Sequence, residues 1–158
     1  MLTYSASLDL DQPASTVWEY LIALEQQPLW EAALLEMRQV TPGEPVVGAA
    51  FEARRRYGRQ EARHEAQIAA IEPGRSVTIT QRGGPVTESR FTYAVDRLGD
   101  GRSRITYRTE AQLRGLARLL QPILPWVGRA EVRRNLTALE RRIAAGIPPR
   151  SDTPTPDA

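Results

Sequence analysis

Arg55 and His64 are the residues of this sequence best suited to charge or acid–base chemistry. Arg55 lies in an alternating stretch that predicts a β-strand, with its side chain on the same face as Tyr57. A guanidinium on the inner face of a sheet needs an anionic or carbonyl partner, because burying it unpaired is costly. Arg55 could therefore orient a ligand carboxylate or polarise a ketone. It could instead pair with an internal carboxylate such as Glu36, or reach the rim of the sheet.

His64 is the single histidine of the chain, and histidine is the side chain that titrates near neutral pH without perturbation. On an inward position it could act as an acid or base, or bind a ligand through a hydrogen bond. The alternative is a core histidine satisfied by a hydroxyl or the backbone, or one on the outer face. The nearby Ile68 and Ile71 have opposite parity, so a bulge in this strand could change which residues point inward.

Tyr93 and Tyr107 fall on two strands that should be neighbours, because the turn at residues 99–101 joins them as a hairpin. Their rings provide apolar wall, and their hydroxyls need hydrogen-bond partners. Both direct contact with a ligand and ordinary core packing fit this pattern.

The elements that must position these side chains are mostly β-strands. Between residues 34 and 113 apolar and polar residues alternate, with turns at glycine and proline. Short links favour antiparallel neighbours, and one polar face fits an antiparallel sheet. The predicted strands cover residues 3–11, 34–41, 49–57, 60–71, 76–82, 88–96 and 102–114.

Helices are predicted on both sides of this β-rich region. Pro13 suits the first position of a helix that Pro28 ends, and Trp30 follows in a short turn or helix. A short helical segment at residues 116–121 is broken by prolines 122 and 125. A long helix then covers residues 126–145 and is about 30 Å long. Its apolar face consists of Val132, Leu136, Leu139 and Ile143.

These elements predict an α+β fold in which a curved sheet of seven antiparallel strands wraps around one long C-terminal helix, with two short helices after the first strand. Because so wide a sheet must twist, it cannot touch the helix everywhere, and a cavity should remain between them. A dry, rigid cavity of about 300 Å³ would cost about 7 kcal/mol, so we expect it to be small, wet or occupied. The residues predicted to contact a ligand there are Trp30, Phe51, Arg55, Tyr57, His64, Gln81, Phe91, Tyr93, Tyr107, Leu120, Leu124 and Trp126.

The order of these elements resembles the helix-grip fold of the START-like (SRPBCC) superfamily, and within it the polyketide cyclase/dehydrase-like proteins. The resemblance covers about residues 3–145. It implies a pocket for a small molecule but no fixed catalytic signature, so fold alone does not settle function. The segments that carry it are residues 7–18, Trp30, residues 71–75, 91–96 and 101–106, and the final helix.

Three functions follow as expectations. The first is binding of a small, largely apolar organic molecule that is polyketide-, lipid- or aromatic-like. The second is catalysis of the cyclase, aromatase or dehydrase type, in which Arg55 polarises a carbonyl while His64 or a tyrosine moves protons. The third is a module that uses the same groove for a protein partner. The apolar cluster around prolines 122 and 125 could cover the pocket or form a homodimer.

Composition excludes several other classes. The chain has 158 residues, no cysteine and one histidine, so disulfides, thiol catalysis and multi-histidine metal sites are excluded. We expect neither cofactor nor metal. The 21 basic residues, all arginine, are interleaved with 19 acidic ones, which argues against a nucleic-acid groove. No apolar run approaches the ~18 residues of a membrane span, and no secretory signal opens the sequence, so a cytoplasmic location is expected. The predicted domain covers residues 1–146, followed by a disordered, proline-rich tail at 147–158.

Overall fold

Seven antiparallel strands form one curved sheet in the computed structural model, which describes residues 1–149. The strands are β1 (Leu2–Leu10), β2 (Leu34–Gln39), β3 (Ala50–Tyr57), β4 (Gln60–Glu72), β5 (Ser76–Gly83), β6 (Val86–Gly99) and β7 (Arg102–Leu113). Their spatial order is β1-β7-β6-β5-β4-β3-β2, so every strand lies beside its neighbour in sequence except for the pairing of β1 with β7. The predicted fold class is therefore confirmed.

The inner face of the sheet carries the core, and the period-two pattern places its residues correctly. In β7 the odd-numbered positions from Ser103 to Ala111 are all buried, while Arg104 and Arg108 are exposed. In β4 the buried positions are even-numbered as far as Ile68. The register with β5 then shifts between Ile68 and Ala70, and this bulge explains the opposite parity of Ile68 and Ile71.

Two α-helices and two short 3₁₀ helices complete the fold. Helix α1 (Ala14–Ile22) contacts β5, β6 and β7, and α2 (Leu124–Ala144) contacts β1. The predicted apolar face of α2 is buried, with Leu139 fully inaccessible. The 3₁₀ helices are Leu24–Leu29 and Gly115–Leu120. None of the helices in the described part of the chain has the length and apolar character needed to cross a membrane.

The prolines act differently from the prediction at two places. The first helix ends at Ile22, and Pro28 lies inside the following 3₁₀ helix instead of ending α1. Pro125 lies in the first turn of α2 instead of before it, where a missing amide hydrogen leaves no intrahelical bond unmade. Strand β2 ends at Gln39, two residues earlier than predicted, and β6 is longer than predicted at both ends.

Only residues 147–149 of the predicted tail lie within the described part of the chain. The backbone carbonyl of Ile147 accepts a hydrogen bond from the Tyr20 hydroxyl of α1. Residues 150–158 lie outside the described residues, so the predicted disorder of the tail stays a prediction.

Candidate functional site

A cavity of about 310 Å³ lies between the inner face of the sheet and the first half of α2. Its wall is mainly apolar and is built from β1, β3, β6, β7, α2 and the segment before β2. A site of this size and character is typical for a small organic molecule. Six of the twelve predicted contact residues line it, namely Arg55, Tyr57, Phe91, Tyr107, Leu120 and Leu124.

The other predicted contact residues do not line the cavity. Trp30, Phe51, His64, Gln81 and Tyr93 are buried in the core. Trp30 meets Tyr93 edge to face, with ring centroids 5.8 Å apart. Trp126 is exposed on the outside of α2. For these six residues a role in ligand contact stays a prediction.

Arg55 and Glu31 form an ion pair at the cavity wall. Arg55 Nη1 donates to Glu31 Oε1 at 2.5 Å, and the two side chains are 12% and 6% exposed. Arg55 Nε donates to Gln81 Oε1 at 3.1 Å, and the guanidinium carbon lies 4.9 Å from the centre of the Phe91 ring. Burial opposes the charge of Arg55, but the attraction of the Glu31 carboxylate and the hydrogen bond to it raise the pKa of Arg55.

Glu31 is also the centre of a buried hydrogen-bond network. Its Oε2 accepts from the Tyr93 hydroxyl at 2.8 Å and from Gln27 Nε2 at 2.6 Å. Gln27 additionally contacts the Tyr93 hydroxyl. The carboxylate thus has partners on both oxygens, as a buried charge requires. The network fixes the chain before β2 against β3 and β6.

The expected alternative partner, Glu36, does not reach Arg55. Strand β2 has a bulge between Leu34 and Glu36, which turns Glu36 to the exposed face while Leu34 and Met37 point inward. Glu36 pairs there with Arg54, at 3.5 Å. Of the alternatives for Arg55, the structure therefore shows the pair with an internal carboxylate, which is Glu31 and not Glu36.

Tyr57 and His64 form a second polar pair at the cavity. The Tyr57 hydroxyl and His64 Nε2 are 3.0 Å apart, and His64 also has a hydrogen bond with the Gly83 backbone. When the other ring nitrogen donates to that backbone, Nε2 of the neutral imidazole accepts from Tyr57. Burial, followed by the positive charge of Arg55, lowers the pKa of His64. At neutral pH the pair is therefore uncharged.

The β5–β6 turn lies directly on the His64 ring. A Cβ atom on Gly84 would come within 2.8 Å of His64 Cε1 and 3.1 Å of Ala62 Cβ. Gly84 also has a left-handed φ of 65°, so glycine is required here for both reasons. The next residues of this turn, Pro85 and Val86, line the cavity. The turn therefore links the histidine to the cavity wall.

Two buried polar atoms of the site have no hydrogen bond of good geometry among the described residues. They are the Oγ1 atom of Thr109, which lines the cavity, and Nε2 of Gln81. The Tyr4 and Tyr107 hydroxyls interact with the Thr109 hydroxyl, so Thr109 belongs to a polar cluster on the cavity wall. Leaving Nε2 of Gln81 buried and unpaired costs about 1–3 kcal/mol.

Glu131 gives the cavity a further carboxyl group. It lies half-buried on α2 and has no ion-pair partner within residues 1–149. Burial, followed by repulsion from Glu31, raises the pKa of Glu131. Burial also raises the pKa of Tyr107 well above its ordinary value, so its hydroxyl stays neutral and can donate or accept a hydrogen bond.

Sequence reasoning missed Glu31, Tyr4 and Glu131. Tyr4 has the same parity in β1 as Ala6 and Leu8, so the alternating pattern could have found it. Glu131 falls at helical spacing, seven residues after Leu124, and could have been found in the same way. Glu31 follows a 3₁₀ helix in an irregular segment, where no periodicity predicts direction.

The chain belongs to the family described as polyketide cyclase/dehydrase and lipid transport, whose model matches residues 1–144. A search of curated proteins found no match. Among solved structures, a START superfamily protein from Mycobacterium smegmatis is similar with a TM-score of 0.79 and 11% identity, over 92% of this chain and 99% of that chain.

Two enzymes of known structure are similar in fold. The Zhui aromatase/cyclase from Streptomyces sp. R1128 has a TM-score of 0.67 and 16% identity, over 91% of this chain and 97% of that chain. Norcoclaurine synthase from Thalictrum flavum has a TM-score of 0.68 and 14% identity, over 90% of this chain and 86% of that chain. Identities this low establish a shared fold and leave the chemistry to be argued from the site.

Proposed function

We propose that this protein binds a small, largely apolar organic molecule in the cavity between the sheet and α2. The observation that carries the proposal is the cavity itself, whose volume of about 310 Å³ equals roughly ten water molecules at about 30 Å³ each. Aromatic walls at Phe91 and Tyr107 suit a flat or chain-like apolar body.

Polar groups at one part of the wall indicate what the ligand carries besides its apolar body. The Thr109 hydroxyl lies on the cavity wall beside the Tyr4 and Tyr107 hydroxyls, and this cluster can donate a hydrogen bond to a ligand oxygen. Arg55 lines the cavity with two of its five donors engaged by Glu31 and Gln81. Because Glu31 already neutralises the guanidinium, a neutral carbonyl or hydroxyl fits this wall better than a second carboxylate. A polyketide-, lipid- or aromatic-like molecule with ketone or phenol oxygens meets these requirements.

A matched pair of variants tests binding in the cavity. Ala111→Leu adds bulk to the cavity wall, whereas Ala94→Leu adds the same bulk to the outer face of β6. The probe is N-phenyl-1-naphthylamine, an uncharged apolar dye that fluoresces when it leaves water. We expect wild type and Ala94→Leu to bind it with equal affinity, and Ala111→Leu to bind roughly tenfold more weakly or worse.

Native mass spectrometry of protein from its own host provides an independent measurement. A retained small organic molecule in wild type and Ala94→Leu, absent from Ala111→Leu, is the expected result. Equal dye affinity in both variants, together with an empty wild-type protein, would contradict binding in this cavity.

Catalysis of the cyclase or aromatase type is the second candidate, and the Tyr57–His64 pair favours it. Tyr57 lines the cavity, and His64 lies behind its hydroxyl at 3.0 Å. In this arrangement His64 Nε2 takes the hydroxyl proton of Tyr57 as the phenol oxygen removes a proton from a ligand carbon, which leaves an imidazolium and an enolate. The proton then returns from His64 through Tyr57 to a ligand oxygen. Arg55 would polarise the carbonyl that is attacked.

The catalytic proposal is tested on a synthetic poly-β-ketone, by following aromatic absorbance as rings form. Tyr57→Phe keeps the ring and removes the hydroxyl, so we expect cyclisation to fall about 100-fold or more, with dye affinity unchanged. Tyr20→Phe is the matched control, because the Tyr20 hydroxyl bonds the backbone of Ile147 away from the cavity. Equal rates in wild type and Tyr57→Phe would exclude this role for the pair.

A further inference from the structure

An exposed apolar surface surrounds the end of the second 3₁₀ helix and the start of α2. We name this surface the apolar rim. Trp126 is 76% exposed and Leu116 82%, although both are large hydrophobic side chains. Contiguous exposed apolar surface of this kind marks interaction sites. The rim consists of Leu116, Leu119, Leu120, Ile123, Trp126 and Val127.

The apolar rim is continuous with the cavity. Leu120 and Val127 belong both to the rim and to the cavity wall, and Leu124 between them also lines the cavity. Whatever covers the rim therefore lies directly at one end of the cavity.

The charged residues of the segment that carries the rim are all arginine. Residues 111–130 contain three arginines, Arg114, Arg118 and Arg129, and no aspartate or glutamate. All three are exposed, and none has an ion-pair partner within the described residues. The two carboxylates that flank this segment are engaged elsewhere, because Glu110 pairs with Arg108 at 2.8 Å and Glu131 lines the cavity.

This charge distribution distinguishes between the possible occupants of the rim. In a dimer formed by the rim of two copies, symmetry would bring the three arginines of each copy together with no carboxylate in the segment to neutralise them. An anionic lipid surface neutralises the arginines and accepts the leucine, isoleucine and tryptophan side chains at the same time. Tryptophan in particular favours the membrane interface.

We propose that the apolar rim docks on an anionic lipid surface, so that the cavity opens toward the membrane. The rim lies in the interface plane without spanning the bilayer, with Trp126 and Leu119 among the acyl chains and Arg114 and Arg118 at the headgroups. This inference concerns a surface and holds whether the cavity binds or converts its ligand.

The test uses the full chain and two kinds of vesicle, phosphatidylcholine alone and phosphatidylcholine mixed with phosphatidylserine. Trp126 is the exposed one of three tryptophans, so its fluorescence should shift to the blue on binding. We expect cosedimentation with the mixed vesicles, weakening as salt is added, and little with phosphatidylcholine. Trp126→Ser with Leu119→Ser should weaken binding roughly tenfold or more, and Arg114→Gln with Arg118→Gln roughly 25-fold, at about fivefold per arginine.

The matched controls lie at the β6–β7 hairpin, at the other end of β6. Leu98 and Arg97 are exposed there, so Leu98→Ser and Arg97→Gln should leave vesicle binding unchanged. Thermal unfolding shows whether each variant is folded, and dye affinity reports on the cavity separately. The proposal would be overturned if the wild-type protein did not bind the mixed vesicles, or if the rim variants bound them as well as wild type does. A dimer that Trp126→Ser dissociates, without vesicle binding, would assign the rim to a second copy.

Discussion

The Arg55–Glu31 pair shows how a residue can be both structural and available to a ligand. Both groups are almost fully enclosed, and each is satisfied by further hydrogen bonds from Gln81, Gln27 or Tyr93. A buried ion pair contributes little net stability compared with apolar residues of similar size. Removing one partner is nevertheless strongly destabilising, because it leaves the other charge buried and unpaired. The pair therefore fixes the geometry of the cavity wall more than it stabilises the fold.

Glu31→Gln is expected to destabilise the protein by about 3–5 kcal/mol, because it keeps the size of the side chain but leaves Arg55 charged and unpaired. Chemical denaturation at neutral pH measures the free energy of unfolding. Glu52→Gln is the matched control, since it breaks the exposed pair with Arg38 and should cost about 1 kcal/mol or less.

A double variant separates two causes of the lost stability, the unpaired charge of Arg55 and the lost hydrogen bonds of Glu31. Replacing both Glu31 and Arg55 by Met removes the two charges together, so it should recover a substantial part of the stability lost in Glu31→Gln. A double variant less stable than Glu31→Gln would show that the hydrogen bonds to Tyr93 and Gln27, and not the unpaired charge, dominate.

Sequence parity placed Arg55 inside but could not identify its partner. The period of two determines which face of the sheet each side chain occupies, and a bulge reverses that assignment for the residues beyond it. The alternation of apolar and polar residues does not predict the bulge between Leu34 and Glu36. Glu31 lies outside any strand, so its position depends on tertiary packing alone.

Helix α2 is held against the sheet by an unusually close contact at one residue. A Cβ atom on Gly128 would lie 2.5 Å from Cζ of Tyr4 and within 3 Å of two further ring atoms. The absence of a side chain at Gly128 therefore lets the Tyr4 ring fit beneath the helix. Both residues line the cavity, so this contact also sets the distance between α2 and β1 at the cavity wall.

Gly128→Ala is expected to destabilise the protein by about 1–3 kcal/mol through overpacking, although alanine is the better helix former by about 1 kcal/mol. The steric effect wins because Cβ meets a rigid ring and not a flexible chain end. Thermal unfolding measures the change. Gly99→Ala is the matched control, since it has open space around it and no left-handed φ.

The same substitution made in a Tyr4→Val background tests the cause. With the ring gone, Gly128→Ala should become neutral or stabilising, because only the helix propensity remains. Destabilisation that persists in this background would mean that the Tyr4 ring is not what alanine meets.

At the scale of elements, the prolines account for the main differences between prediction and structure. Proline in a helix interior breaks the helix, and this rule predicts a helix boundary at Pro28 and at Pro125. Pro28 is accommodated in a 3₁₀ helix, and Pro125 lies in the first turn of α2. Their positions depend on where each helix begins, and sequence patterns define such ends least well.

At the scale of the whole molecule, the order of elements could be predicted because it depends on periodicity alone. A seven-stranded sheet with one apolar face and one long helix with an apolar face have few arrangements in which these two apolar faces cover each other. The wall of the cavity was predicted only in part, because parity decides which face a side chain occupies but not how deep it lies. Tyr93 and Phe91 share one face of β6, yet Tyr93 is buried behind the wall that Phe91 forms.

The free energy of unfolding should depend on pH through His64. Burial and Arg55 lower the pKa of His64 from its ordinary value of 6.5, so the unfolded chain binds a proton at pH values where the folded chain does not. Stability is then full above about pH 6.5 and falls as the pH drops through the window between the unfolded and the folded pKa. The slope is at most about 1.4 kcal/mol per pH unit for one proton.

His64→Gln removes the titrating group, so its stability should change less than that of wild type between about pH 6.5 and pH 5. Glu131→Gln is the informative comparison, because the pKa of Glu131 is raised from 4.5 by burial and by Glu31. The stability linked to its protonation is present below pH 4.5 and is lost as the pH rises through the folded pKa. Glu131→Gln should therefore be more stable than wild type at neutral pH while keeping the histidine slope. Measuring the free energy of unfolding with denaturant at a series of pH values distinguishes the contributions of His64 and Glu131. If the stability of His64→Gln changed with pH in parallel with that of wild type, a group other than His64 would control stability between about pH 6.5 and pH 5.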